Sequence, residues 1–174
     1  MDFSALLSRL RDGVRPAILI GLMCLVVYAG QSFSCTKVGD GFNRMQPAFK
    51  PGQVVFIDKR PARAKELHPG DVICYDATVG GTRSRRVGRI IAMPGEVFEV
   101  DEGQVIVDGE KRTLRAAASV ERFKYPRIMV PANHVLVIFD KPASYRSNLN
   151  ELLVPFSEIR GRIPSWLAAR GEQS

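Results

Sequence analysis

The chain is poor in the residues that build metal and redox sites. Its 174 residues hold three cysteines, Cys24, Cys35 and Cys74, and two histidines, His68 and His134. No C-x-x-C spacing occurs, so neither a zinc site nor a dithiol redox pair is signalled, and no metal or cofactor is expected. An odd cysteine count leaves a Cys35–Cys74 bridge open in an oxidising compartment, while two separate buried thiols need fewer assumptions. His68 precedes Pro69 in a turn and His134 opens a strand, settings that fit surface or structural roles. Aromatic residues make up 8% of the chain, with a single Trp. Twenty-five Lys+Arg against eighteen Asp+Glu leave a net charge of +7, yet the basic residues scatter. The one denser knot, Arg83, Arg85, Arg86 and Arg89, has no interleaved aromatics on which bases would stack. Nucleic acid is therefore not an expected partner, and the charge suits anionic lipid or an acidic protein.

What the chain does have is one long apolar run. From Pro16 to Ser34 there is no charge, close to the roughly 20 residues that cross a bilayer as a helix. Phe3, Leu6, Leu7 and Leu10 lie before it at roughly helical spacing, and Arg9, Arg11 and Arg15 also precede the run. Arginines on that side put the N-terminus inside and the remainder outside a cytoplasmic (inner) membrane, with a single pass and the C-terminal domain periplasmic. A cleaved signal peptide ending at Val27-Tyr28-Ala29 is the competing reading, and the length of the run, which continues to Phe33, favours a retained anchor. The expected division is a cytoplasmic segment at 1–15, an anchor at 16–35 and one β domain at 36–174.

Beyond the anchor the period changes to that of short strands. Val54 to Asp58, Asp71 to Asp76, Arg86 to Met93, Val97 to Asp101, Gln104 to Val107 and His134 to Phe139 are rich in Val, Ile and Phe. Pro51-Gly52, Pro69-Gly70, Gly80-Gly81, Pro94-Gly95 and Asp108-Gly109 punctuate them as turns. Glu102-Gly103 joins the clearest hairpin, since Gly103 can take the positive φ of a tight turn. Lys111 to Lys124 reads as a surface excursion, and Pro155 to Arg170 as a tail with a short helix around Trp166. The fold class is mainly β and antiparallel, on a single N-terminal transmembrane helix.

The order and spacing of Asn43-Arg44-Met45-Gln46-Pro47, Pro69-Gly70-Asp71, Arg89-Ile90-Ile91-Ala92-Met93-Pro94-Gly95-Glu96, the hairpin Gly103 to Gly109, and the block from Asp140 to Pro155 resemble the type I signal peptidases. That resemblance implies a membrane-anchored serine peptidase fold in which a serine hydroxyl attacks and a neutral lysine amine takes its proton. Such a lysine must be desolvated, because at its ordinary pKa of about 10.4 only about one in 2,500 is neutral at pH 7. Met45 and Pro47 set the register, which places Arg44 at the serine position. Counting back from Met93-Pro94-Gly95-Glu96, Arg89 matches the family's strand arginine and Gly88 falls at the lysine position. A guanidinium cannot attack a carbonyl, and glycine offers no base. In the last block Asp140 and Val154-Pro155 keep their spacing, while Phe139, Lys141, Pro142, Tyr145, Ser147, Asn148 and Leu149 replace most of the polar residues that brace the family's site.

The resemblance thus implies a member without an intact catalytic dyad, expected not to cleave. Its groove would run along Asp40, Phe42, Asn43, Arg44, Met45 and Pro47 on one side and Arg85, Arg86, Val87, Gly88 and Arg89 on the other. An extended peptide added there as a strand draws its affinity from main-chain hydrogen bonds, which survive loss of catalytic side chains. Membrane lipid, signal peptides, preproteins or a membrane assembly complex are the expected partners. Two alternatives stay open: an active peptidase with a displaced site, for which Ser34, Cys35, Thr82 and Ser84 offer hydroxyls or a thiol and Lys37 and Lys59 amines, and a structural subunit of a secretion or pilus machine.

Overall fold

Two sheets and one long helix follow from the alternation of apolar and polar residues. The computed structural model describes residues 3–37, 45, 49, 52–60, 62, 66–79, 81–112, 124–141 and 148–164. Helix α1 runs from Phe3 to Ser32 and takes Pro16 into its interior. The segments expected at 1–15 and 16–35 therefore share one helix up to Ser32. Among the described residues, no helix is long and apolar enough to cross a membrane.

The chain leaves α1 directly into strand β1, Phe33–Lys37, which pairs antiparallel with β2, Val54–Asp58. β1 was not expected, because Phe33 and Ser34 read as the end of the apolar run. The period switches to two at Phe33: Phe33, Cys35 and Lys37 point outward and Ser34 and Thr36 are half-covered. β3, Val72–Val79, and β4, Thr82–Ala92, form a long hairpin. β4 begins four residues before its apolar signal, because the polar residues Thr82 to Arg85 pair with Val79 to Asp76 across the hairpin. β5, Val97–Asp101, β6, Gln104–Val107, β7, Glu110–Lys111, and β8, Tyr125–Met129, make a second sheet in the order β7-β6-β5-β8. β9, His134–Ile138, helix α2, Leu149–Leu152, β10, Leu153–Pro155, and β11, Ile159–Ile163, complete the chain's described part. The first sheet has seven strands, ordered β1-β2-β11-β3-β4-β9-β10.

β11 corrects the reading of the C-terminal segment as a helical tail. Ile159-Arg160-Gly161-Arg162-Ile163 alternates buried and open positions and lies in the middle of the sheet, between β2 and β3. Its arginines hid the strand signal, and its glycine is a packing requirement. A Cβ at Gly161 would stand 2.5 Å from Ile57 Cγ2 and 2.6 Å from the Asp58 carbonyl oxygen. The helix expected around Trp166 lies outside the described residues.

One turn design is used twice. In His68-Pro69-Gly70-Asp71 and in Met93-Pro94-Gly95-Glu96 the glycine takes φ of +94° and +86°, as the third position of a type II turn demands. The acidic residue closes each loop. Asp71 N–H donates to His68 O at 3.1 Å and Asp71 Oδ2 accepts from His68 N–H at 3.0 Å, while Glu96 N–H donates to Met93 O at 3.1 Å and Glu96 Oε2 accepts from Met93 N–H at 2.7 Å. These two turns fix where β3 and β5 begin. The hairpin expected at Glu102-Gly103 is present, with φ of +47° and +75° and Asp101 opposite Gln104.

The main core lies between the sheets. Val72, Cys74, Val87, Leu136 and Ile138 of the first sheet pack with Phe98, Val100, Val105, Val107 and Tyr125 of the second, and with Met45 and Phe49. The opposite face of the first sheet carries a smaller cluster of Leu67, Ile73, Tyr75, Ile90, Val135, Val137, Val154 and Ile159. Of the cysteines, Cys35 is exposed on β1 opposite Phe56, Cys24 is exposed on α1, and Cys74 is buried; all three are free. Only Cys74 is the buried thiol expected at both positions, and burial pushes its pKa up to about 12.

Candidate functional site

β4 is the element on which the candidate residues converge. It pairs with β3 over Thr82 to Arg89, whereas β9 joins its other edge only at Arg89, Ile90 and Ala92. Among the described residues, the outer edge of β4 from 82 to 88 has no strand partner. Such an edge presents unpaired N–H and C=O groups to an extended segment. Arg85, Arg86, Val87, Gly88 and Arg89 all lie on this strand. Of the opposing set only Met45 is described; it is fully buried in the same apolar cluster as Val87. Asp40, Phe42, Asn43, Arg44 and Pro47 lie outside the described residues.

The geometry at Gly88 is decisive for any base at that position. A Cβ built there meets Val137 Cγ1 far inside contact distance, with the Ile138 carbonyl oxygen at 3.2 Å and Tyr75 Cε1 at 3.7 Å. Val137 is fully buried and β-branched, so it has little freedom to turn away. The close approach also explains a glycine in a strand interior. Sequence reasoning singled out Gly88 and missed Val137, whose place beside it depends on how β9 joins β4.

Arg89 is held where β9 ends and the open edge begins. Its Nε and one terminal amine donate to both Asp140 carboxylate oxygens at 3.0 and 2.8 Å, and the other terminal amine donates to Gly70 O at 3.0 Å. The pair is largely buried, with side chains 18% and 6% exposed. It ties β4 to the end of β9 and to the Pro69-Gly70 turn. Asp140 was noted for its spacing alone; its role as this brace emerges only when residues 51 positions apart meet.

Two of the remaining arginines of the knot, Arg83 and Arg85, share carboxylates. Asp76 on β3 accepts from Arg85 Nε at 3.4 Å and Arg160 Nε at 2.9 Å, and lies 3.2 Å from Arg83. Glu158 accepts from Arg83 at 3.1 Å. Burial would raise the Asp76 pKa, but the hydrogen bond and field of Arg160, joined by Arg85, hold it below the usual carboxylate range. Arg86 differs: it shares the face of Gly88, is half-buried, and has no ion pair among the described residues. It lines a cavity of about 280 Å³ with Tyr75, Asp76, Asn150, Glu151 and Leu153, beside the open edge.

Among the described residues, no displaced catalytic pair is assembled. Ser34 and Lys59 do line one cavity, but Lys59 Nζ donates to Gly30 O at 3.5 Å and no hydrogen bond joins it to Ser34. His68 is exposed and His134 Nδ1 sits 3.1 Å from Ala132 O; neither approaches β4's open edge. Among the described residues, no group of His, Cys, Asp and Glu could hold a metal.

Comparison with known proteins fits this frame. The family described as signal peptidase, peptidase S26, matches residues 14–166. The chain belongs to that signal peptidase family. A curated relative, the probable signal peptidase I-2 of Synechocystis sp. (strain ATCC 27184 / PCC 6803 / Kazusa), is 23% identical over 122 residues, or 68% of this chain. The match spans only 56% of that relative's own length. A crystal structure of a signal peptidase I from Enterococcus faecalis V583 aligns with a TM-score of 0.44 and 17% identity, covering 56% of this chain and 97% of that one.

Proposed function

We propose that this signal peptidase family member does not cleave, and that its β domain holds an extended peptide segment along the open edge of β4 at a membrane surface. The observation that carries the reading is at Gly88: the base position has no side chain, and Val137 occupies the space one would need. A serine at 44 would still lack a proton acceptor. The edge from 82 to 88 keeps the main-chain groups that strand addition uses, and the cavity beside Arg86 offers room for a side chain of the added strand.

The membrane is supplied by α1. Ile18, Leu19, Ile20, Leu22, Met23, Leu25 and Val26 are each 56 to 71% exposed, and with exposed Tyr28 they are spread around the helix. Leaving them in water costs on the order of 10 kcal/mol. The uncharged stretch from Pro16 to Ser32 spans about 26 Å at 1.5 Å per residue, a few ångströms short of a hydrocarbon core of about 30 Å, a mismatch that local thinning absorbs at modest cost. We assign it as a single-pass anchor in the cytoplasmic membrane, with the β domain of 36–174 outside.

The test is binding of fluorescent peptides carrying signal sequences to the full-length chain in detergent. Saturable binding that is competed by unlabelled peptide supports the groove; no binding up to high micromolar concentration removes it.

A further inference from the structure

Charge is sorted across the first sheet. Asp76 and Glu158 line the cavity beside Arg86. A second cavity of about 440 Å³ is lined by Ser34, Ile57, Lys59, Ala62, Arg85, Ile159 and Arg160, so three cations and no carboxylate face it among the described residues. The cavity has a clear origin in the fold. β11 pairs with β2 only at Arg162–Asp58, and where the two strands diverge, Ser34, Ile57 and Lys59 stand on one side and Arg85, Ile159 and Arg160 on the other.

The arginines there are oriented and only partly engaged. Arg85 and Arg160 each donate Nε to Asp76, at 3.4 and 2.9 Å, which holds both guanidinium planes while leaving their terminal amines. The nearest further carboxylate, Glu158, is 3.9 Å from one Arg160 amine, beyond hydrogen-bond distance. Counting Lys59, Arg83, Arg85 and Arg160 against Asp76 and Glu158, the cluster keeps two positive charges more than it needs. Two oriented guanidiniums, an ammonium and a hydroxyl are the donors that a tetrahedral oxyanion accepts from.

The position of the cavity is equally specific. Lys59 N–H donates to Ser32 O at 2.9 Å and Lys59 Nζ to Gly30 O at 3.5 Å, so the cavity adjoins the last turn of α1. Phe33, Val54 and Phe56 are exposed on the neighbouring strands, and Arg60 lies over the Phe33 ring at 4.7 Å. With α1 in a bilayer, this is the level of the headgroups.

We propose that the cavity between β1–β2 and β4–β11 binds a single phosphate group, of the kind carried by an anionic phospholipid or a soluble phosphate ester. The choice of lipid as source rests on the reading of α1 as an anchor; it does not depend on the peptide groove. The site would fix the β domain's height and rotation on the membrane, which a helix alone leaves free.

The test is native mass spectrometry of the full-length chain in detergent, with added phosphatidylglycerol, phosphatidylcholine, glycerol 3-phosphate or inorganic phosphate. Variants are Lys59→Gln, Lys59→Gln/Arg160→Gln, and a control, Lys111→Gln/Arg127→Gln, which removes the same charge from exposed positions on the other sheet. Phosphatidylglycerol should be retained over phosphatidylcholine, its binding weakened about fivefold by Lys59→Gln, more by the pair, and not by the control. Lys59→Gln leaves the Asp76 cluster intact, so it reads the site even if the double variant does not fold. Displacement of the lipid by glycerol 3-phosphate supports the site and identifies a soluble ester as its ligand. Equal retention of both lipids with no soluble phosphate bound, or equal losses in the Lys59 and control variants, overturns the proposal. Peptide binding by these variants separates the two readings, since it should be unchanged.

Discussion

The Cβ that Gly88 lacks would fall on Val137. The glycine at 88 and the packing of β9 against β4 are therefore one feature of the structure. Val137 and Gly88 should be coupled energetically. Gly88→Ala alone should destabilise the β domain by about 1–3 kcal/mol through overpacking. In a Val137→Ala background, where Cγ1 is gone, the same change should cost much less. Denaturant midpoints of the four proteins in this cycle measure the coupling, and additive costs would show that Val137 does not fill the position.

The Arg89–Asp140 pair should behave as a buried brace. Asp140→Asn leaves a largely buried guanidinium with half its bidentate partner and should cost about 3 kcal/mol. Arg89→Lys should fail to rescue stability, because an ammonium cannot span both carboxylate oxygens and Gly70 O. Thermal melts of the two variants check this; a neutral Arg89→Lys would mean that only the charge matters.

Acid stability should depend on two carboxylates. Asp58 is held below the ordinary range chiefly by its hydrogen bonds from Arg60, and Asp76 by Arg160 and Arg85 against the effect of burial. A carboxylate depressed in the folded state binds fewer protons there than when unfolded. Its contribution is thus complete above the unfolded pKa of about 3.9 and is lost as pH falls through the lowered folded value. Stability should be level above about pH 5 and fall below about pH 4, with a shallower fall in Asp76→Asn. An identical acid limb in that variant would contradict the assignment.

The sequence revealed the parts of the fold whose signal is local. Six strands rich in Val, Ile and Phe, and turns such as Pro69-Gly70-Asp71, are legible because the residues that shape them are adjacent in the chain. β1 and β11 were not: β1 is masked by the apolar run before it, and β11 carries Arg160, Gly161 and Arg162 where a strand's apolar signal should be. Gly88 stands out in the sequence by its fixed distance from Met93-Pro94-Gly95-Glu96, and the structure adds the close approach of Val137. Val137, Asp76 and Asp140 acquire their roles only when β3, β4 and β9 are laid side by side.

Thiol reactivity offers a separate check on packing. Cys74, buried with its pKa raised to about 12, should resist maleimide at pH 8 in the folded protein, while exposed Cys35 reacts. Peptide mapping after labelling reads the two sites; rapid labelling of Cys74 would mean that the core around β3 opens.

The central claim is most directly tested by incubating the full-length chain in detergent with a preprotein, beside Arg44→Ser and Arg44→Ser/Gly88→Lys. All three should leave the preprotein intact, the last because Val137 stands where the new side chain must pass. Cleavage by the natural sequence would contradict the account and require a catalytic pair elsewhere in the chain.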